Sequence, residues 1–262
     1  MIIARNFSSA AVLEDEGNTN TASTTTNVND INVKQAFTPT PERKYEFFQN
    51  VEITSDGIAT IRFDNRDKKV NTISFNLKDE AEKLWQEEIH SNPDVRAVIF
   101  VSTKPDTFIA CADIFDIQSM VNKEDIIPLI ESATEFFHHL KSKGMPLLCA
   151  IDGPALGGGL EWALWCDYRI CTDSPKTKLG LPEVKLGLVP GFGGTQNLHK
   201  MVGLQKAMDM MLTGKDIRPA EAKKMGLVDM VVAPASLGRR SGLTESERPS
   251  RMRFAIPRLI YR

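Results

Sequence analysis

Several residue types that define whole classes of proteins are scarce in this chain of 262 residues. Its four cysteines show no C-x-x-C spacing and do not cluster with its four histidines, so neither a disulfide framework nor a zinc site is indicated. Free thiols in a reducing compartment are expected at Cys111, Cys149, Cys166 and Cys171. No apolar run approaches the roughly 20 residues of a membrane-spanning helix. The chain also has no large surplus of positive or negative charge, since its net charge is −2. Nucleic acid is therefore disfavoured as a partner, and membrane contact is expected to be peripheral at most.

The composition, 42% hydrophobic and 25% charged, is that of a globular chain with one sizeable core. Residues 1–13 combine one arginine, no acid, and apolar and serine residues, which is typical of a short mitochondrial presequence; a disordered N-terminus is the alternative. The following residues are mostly small and polar and favour a disordered linker. The predicted division is presequence 1–13, linker 14–43, folded core 44–233 and an arginine-rich tail 234–262.

The folded part alternates strand-like and helix-like segments. Val51–Ile53 and Ile58–Phe63 flank Asp56-Gly57, a combination that predicts a β-hairpin. Further along the chain, apolar runs predict strands, and apolar residues at helical spacing predict helices. The predicted strands are 97–101, 147–151 and 227–232, and the predicted helices are 77–89, 123–143, 160–166, 203–213 and 219–225. This alternation indicates an α/β architecture.

Gly157, Gly158 and Gly159 fall at a predicted turn from a strand to a helix. The first N–H groups of a helix have no partner within it and lie at the positive end of its dipole, so they can bind a negatively charged oxygen. Glu161 would place a carboxylate in the same first turn, although a glutamate there also suits the helix dipole alone. A second carboxylate, Glu183, lies in the Gly/Pro-rich stretch 178–195, and the pair favours acid–base chemistry.

Two other motifs are weaker. The run from Gly191 to Gly194 is similar to a dinucleotide-binding fingerprint, but Gln196 stands where the last glycine is required, so no NAD site is predicted. His138 and His139 have no carboxylate or thiol neighbours at metal-ligand spacing, and no metal site is predicted there.

Between about Tyr45 and Val232 the chain resembles the crotonase (enoyl-CoA hydratase/isomerase) superfamily, and most closely the hydratase part of the mitochondrial trifunctional enzyme alpha subunit. Five ordered segments carry the resemblance: KVNTIS (69–74), FIACADI (108–114), ALGGGLE (155–161), LGLPEVKLGLVPGFGGTQ (179–196) and MLTGKDIRPAEAKKMGLVD (211–229). The resemblance implies a ClpP/crotonase-like fold of repeated ββα units. It also implies the activity of a mitochondrial 2-enoyl-CoA hydratase of fatty-acid β-oxidation.

The resemblance further implies roles for individual residues. Glu161 would activate water and Glu183 would exchange the proton at the substrate α-carbon. The backbone N–H groups of Ala112 and Gly158 would hold the thioester oxygen. The coenzyme A part of the substrate would be bound by Lys69, Val70, Ala110, Asp113 and Ile114. A solvated lysine is the less favoured alternative for Lys69, and a helix cap is an equal alternative for Asp113. No cofactor is implied beyond the acyl-CoA substrate, and the implied protein partners are further copies of the chain or a thiolase beta subunit.

The chain departs from the family pattern at two places. Cys111 replaces a common glycine before Ala112, and strain in that loop is expected. After Pro234 the pattern of the family's C-terminal helices is missing; residues 239–262 contain seven arginines and two glutamates, and are expected to be disordered and to leave the chain poorly soluble and weakly active. The alternatives to a hydratase are therefore an enoyl-CoA isomerase, which needs one well-placed carboxylate, and a non-catalytic truncated fragment.

Overall fold

Strands and helices alternate, as predicted, through residues 43–66, 68–113, 116 and 123–237, which the computed structural model describes. The presequence, residues 14–42, Ile114 and the tail beyond Leu237 lie outside the described residues. Within them the strands are β1 (Glu52–Ile53), β2 (Ile58–Phe63), β3 (Thr72–Ile73), β4 (Ala97–Ser102), β5 (Cys111–Ala112), β6 (Leu147–Ile151), β7 (Pro154–Leu156), β8 (Tyr168–Thr172), β9 (Lys178–Gly180) and β10 (Met230–Val232). The α-helices are α1 (Phe75–Leu84), α2 (Lys123–Ser142), α3 (Gly158–Trp165), α4 (Gly194–Val202), α5 (Leu204–Thr213) and α6 (Pro219–Met225).

The strands form one large sheet and two small ones. The large sheet has the order β1-β2-β4-β6-β8-β10, and all its pairs are parallel except β1 with β2. Between successive parallel strands the chain forms a short second strand and a helix, so β3 pairs with β5 and β7 pairs with β9 beside the main sheet. The four units β2-β3-α1, β4-β5-α2, β6-β7-α3 and β8-β9-α4 are the repeated ββα units of the predicted crotonase fold, which is confirmed.

Most predicted elements are present, with shifted ends. The hairpin is confirmed, with Glu52 opposite Thr60. The helix predicted to end at Ile89 is α1 followed by a wider π-helical turn, Trp85–His90. The strand predicted to begin at Leu227 is only β10, because Leu227 lies in a turn where its N–H bonds the Ala222 carbonyl at 2.9 Å. The sequence pattern does not predict α4, which begins inside the Gly/Pro-rich stretch.

Helix α3 lies inside the main core, which explains its sequence. All residues from Gly158 to Leu164 are buried, so the helix is apolar on every side instead of amphipathic. Trp162 packs edge-on against Phe63, Phe100 and Phe137, with ring centroids 5.0, 5.5 and 5.1 Å apart. Glu161 is therefore an acidic side chain on a helix that otherwise buries apolar groups.

The two ends of the described chain also contact the fold. Arg43 pairs with Asp64, the residue that follows β2, at 3.1 Å. At the other end, Pro234–Leu237 forms a 3-10 turn, and Leu237 packs on a second apolar cluster on the large sheet. That cluster consists of Ile58, Ile99, Leu148, Ala150 and Ile170.

Candidate active site

The three consecutive glycines at the start of α3 are each required by a different contact. Gly157 has φ +54°, a left-handed conformation that favours glycine. A Cβ on Gly158 would lie 2.9 Å from Ile73 Cδ1, and a Cβ on Gly159 would lie 2.4 Å from the Ile109 carbonyl oxygen. The start of the helix is thus packed directly on neighbouring loops, with the N–H of Gly158 among those that have no partner inside the helix.

Glu161 is held by the backbone of the loop that leads into α4. Its Oε1 accepts hydrogen bonds from the N–H groups of Phe192 and Gly194, both at 2.8 Å. The residue is 2% exposed. Burial raises the pKa of Glu161 to about 8, the negative charge of Glu183 acts in the same direction, and the two N–H groups oppose both. Glu161 therefore holds a proton more tightly than an exposed glutamate does.

Glu183 approaches the same glycine turn from another element. It lies in a 3-10 turn, Pro182–Leu186, that follows β9. A Cβ on Gly157 would be 3.1 Å from Glu183 Oε1, and the Gly157 N–H bonds the Gly180 carbonyl at 2.9 Å, which ties this turn to the start of α3. Glu183 Oε2 is buried and has no hydrogen-bond partner in the described part of the chain. Burial raises the pKa of Glu183 as well.

The two carboxyl groups therefore titrate as a pair. Ionising Glu183 makes ionisation of Glu161 less favourable, and both groups are partly or wholly removed from water. When two carboxyl groups interact in this way, the apparent pKa values belong to the pair more than to either residue. An acid and a base in contact with the same space are the groups that proton transfer to and from a bound molecule requires.

The predicted oxyanion residues Ala112 and Gly158 share one neighbour, Ile73. Ala112 is in β5, paired with Ile73 of β3, and the Ile73 side chain touches the backbone of Gly158. Helix α3 also contacts both β3 and β5. The folded chain therefore places these two backbone positions, 46 residues apart in the sequence, next to the same isoleucine.

The structure brings together only some of the residues that are expected to bind coenzyme A. Lys69 and Val70 are exposed on the segment before β3, and the Ala110 N–H bonds the Asn71 carbonyl at 2.9 Å. Asp113 is buried and pairs with Lys68, a residue that the sequence does not single out. Ile114 lies outside the described residues.

The expectation of strain at Cys111 is wrong for the backbone. Cys111 lies in β5, and among the described residues the non-glycine residue with positive φ is Asp106. The half-buried thiol lies 2.6 Å from the Ala112 carbonyl oxygen, and burial, then the charges of Asp113 and Glu183, raise its pKa. The backbone of Cys111 thus has no left-handed conformation that would favour glycine.

Sequence reasoning missed the residues that hold Glu161 in place. Phe192 and Gly194 supply its hydrogen bonds, and Trp165 donates from Nε1 to the Phe192 carbonyl at 2.7 Å. The sequence signal for these donors was the glycine-rich run 191–194, because glycines let backbone N–H groups approach another group closely.

The histidines of α2 contact other side chains. His138 packs against Trp165, and His139 is hydrogen-bonded to Gln86. The described residues contain no group of three His, Cys, Asp or Glu side chains placed to bind a metal. No helix among them is long and apolar enough to cross a membrane.

A repeated ββα fold with a carboxylate pair beside a glycine turn defines a crotonase-type protein, and the comparisons agree. Residues 53–243 match the family model for enoyl-CoA hydratase/isomerase, so the chain belongs to the enoyl-CoA hydratase/isomerase family. A crystal structure of an enoyl-CoA hydratase from Geobacillus kaustophilus HTA426 is similar, with a TM-score of 0.72 and 31% identity, over 83% of this chain and 75% of that one.

Two similar curated proteins come from bacteria. The chain is 46% identical over 182 residues to the fatty acid oxidation complex subunit alpha of Shewanella loihica. It is 42% identical over 183 residues to the subunit of the same name from Vibrio campbellii. Each match covers 70% of this chain and 26% of the relative, so the chain spans about a quarter of the length of these relatives.

Proposed function

We propose that this chain is a 2-enoyl-CoA hydratase, which adds water to a trans-2-enoyl-CoA to give a 3-hydroxyacyl-CoA. The observation that carries the proposal is the pair of buried carboxyl groups, Glu161 and Glu183, at the glycine-rich start of α3. Hydration needs a group that takes a proton from water and a group that supplies one to carbon, and the pair provides both.

The thioester carbonyl would accept hydrogen bonds from the N–H groups of Ala112 and Gly158. Negative charge that develops on this oxygen as water attacks the β-carbon is stabilised by such donors and by the positive end of the α3 dipole. Ile73 and Phe192 both lie beside Gly158, since a Cβ there would be 2.9 Å from Ile73 Cδ1 and 3.3 Å from Phe192 Cδ2. These apolar groups would exclude bulk water from the reacting atoms.

Proton transfer follows from the shared proton. In hydration, Glu161 accepts a proton from water as the water oxygen bonds to the β-carbon, and Glu183 donates a proton to the α-carbon. In the reverse reaction, Glu183 removes the α-proton and a protonated Glu161 protonates the departing hydroxyl. Burial raises the pKa of both groups and so favours a pair that holds a proton. Hydration begins with this proton on Glu183, and the reverse reaction begins with it on Glu161.

The test is crotonyl-CoA hydration by Glu161→Gln and Glu183→Gln, with Glu221→Gln as the matched control on the exposed side of α6. Each active-site variant should lose about 10²-fold or more in kcat while binding crotonyl-CoA nearly as well as the wild type, because a transition-state interaction is removed. The control should keep full activity. Near-normal turnover in either active-site variant would show that the acid–base assignment is wrong.

We further propose that the hydratase acts in fatty-acid β-oxidation, since the relatives are named as alpha subunits of a fatty acid oxidation complex. By the same likeness, a thiolase-type beta subunit or further copies of the chain are the proposed partners. Mitochondrial import is proposed from residues 1–13 alone. Mass spectrometry of the mature chain in organelle fractions, and of proteins that co-purify with it, tests both proposals.

A further inference from the structure

Trp165 lies on the same side of α3 as Glu161, one turn further along the helix. Its indole Nε1 donates a hydrogen bond of 2.7 Å to the carbonyl of Phe192. Gly193 follows with φ +100°, and a Cβ there would be 2.7 Å from the same nitrogen. The loop backbone therefore lies close against the indole, and a glycine at position 193 allows this approach.

Residue 192 is consequently held on both sides by one helix. Its N–H donates to Glu161 Oε1 at 2.8 Å, and its carbonyl accepts from Trp165. The next donor to Glu161, the N–H of Gly194, lies two residues further along the same loop. Movement of the Phe192 carbonyl away from the indole would carry both donors away from the carboxylate.

The indole is itself fixed by α2. Phe137 stacks on Trp165 with ring centroids 5.2 Å apart and planes 4° from parallel, and His138 packs edge-on at 5.1 Å. A half-buried ring held on two sides has little freedom to follow a moving loop. The donor thus has a fixed position from which it can orient its acceptor.

We infer that Trp165 is a positioning residue for hydration: its indole N–H holds the loop 191–194 so that the N–H groups of Phe192 and Gly194 orient the Glu161 carboxylate. This inference rests on the proposed function. In this role the residue acts through the two backbone donors. Its loss should therefore lower kcat more than it changes KM.

The experiment compares Trp165→Phe with Trp162→Phe. Both remove one indole N–H and the same volume from the same helix, but Trp162 Nε1 is buried without a hydrogen-bond partner in the described residues. Trp165→Phe should lower kcat about ten-fold with KM within about two-fold, since one hydrogen bond is lost. It should also raise the kinetic pKa of the pair, because N–H groups that stabilise ionised Glu161 are loosened while the ring still excludes water. In a Glu161→Gln background the substitution should have little further effect.

Amide hydrogen exchange gives a readout that needs no activity. The N–H groups of Phe192 and Gly194 should exchange about ten-fold faster in Trp165→Phe, and at wild-type rates in Trp162→Phe. Unchanged exchange in Trp165→Phe, or equal losses of kcat in the two variants, would overturn the positioning role. A wild-type chain that does not hydrate crotonyl-CoA, with exchange still accelerated by Trp165→Phe, would instead overturn the proposed function and leave the contact between indole and loop established.

Discussion

The carboxylate of Glu161 lies so close to Gly194 that a Cβ at position 194 would be 2.9 Å from Oε1. Gly194 is also one of the two backbone donors to that oxygen. The glycine is therefore required so that the N–H can reach the carboxylate.

Gly194→Ala should push the carboxylate away from its donors and lower kcat at least ten-fold, because orientation of a proton-transfer group contributes strongly to rate. Crotonyl-CoA kinetics measure this. Gly191→Ala is the control, since a Cβ there would meet only the flexible end of Ile130 at 3.3 Å and should cost several-fold less. Equal losses of kcat in the two variants would show that any substitution in this loop is harmful and that the contact between Gly194 and Glu161 has no special role.

The raised pKa of Glu161 predicts that stability falls as pH rises. A group whose pKa moves from the ordinary 4.5 to about 8 on folding holds a proton more tightly in the folded chain. Its contribution to the free energy of unfolding is therefore full below about pH 4.5 and is lost between about 4.5 and 8. Glu161→Gln keeps an oxygen acceptor for Phe192 and Gly194 without the charge.

Urea denaturation at pH 5 and pH 9 measures this difference. The wild type should lose a few kcal/mol between the two pH values, at about 1.4 kcal/mol per pKa unit, and Glu161→Gln should lose clearly less. The same variant should lack the fall of kcat/KM that we expect in the wild type as pH rises through about 8, where the pair gives up its last proton. Parallel stability curves for the two proteins would contradict a buried, protonated Glu161.

Gly159 should matter mainly for the stability of the fold, and Gly158 mainly for hydratase activity. A Cβ at 159 would be 2.4 Å from a backbone carbonyl, that of Ile109, whereas a Cβ at 158 would meet only side-chain atoms, of Ile73 and Phe192. Gly159→Ala should therefore destabilise the fold by about 1–3 kcal/mol or more, the usual cost of overpacking.

Gly158→Ala should fold with a smaller loss of stability but lose about 10²-fold in hydration, because its methyl group would occupy the space beside the proposed oxyanion donor. Thermal unfolding and crotonyl-CoA turnover, measured on both variants, separate the two effects. If Gly159→Ala were stable but inactive while Gly158→Ala stayed active, the roles assigned to the two glycines would be wrong.

Cys111→Gly should not relieve strain, because Cys111 has no left-handed conformation. Glycine within a strand should instead cost about 0.5–1 kcal/mol, with activity within about two-fold of the wild type. Urea denaturation and turnover are the measurements, and Cys111→Ala separates loss of the thiol from gain of backbone freedom. A clear rise in stability for the glycine variant would show strain of another kind.

Much of the fold could be predicted from the sequence because its signals are local. The apolar run 147–151, the Asp56-Gly57 turn and the helical spacing in 123–143 each depend on neighbours in the chain. The glycine run 157–159 similarly indicates where a helix begins and where backbone donors are exposed. The family resemblance then connected these elements in the order that the structure has.

The arrangement of the site depended on tertiary structure, because its contacts join distant residues. Nothing in the sequence around Glu161 shows that its acceptor atoms face the N–H groups of Phe192 and Gly194, some thirty residues later. Burial, which raises its pKa, comes from packing between layers of the fold and not from the residues beside it in the chain. The sequence by itself determined which acids and glycines are present and which local elements carry them. Folding alone decided that both carboxyl groups are withdrawn from water and that the charge of Glu183 raises the pKa of Glu161, because burial and separation are set by long-range packing.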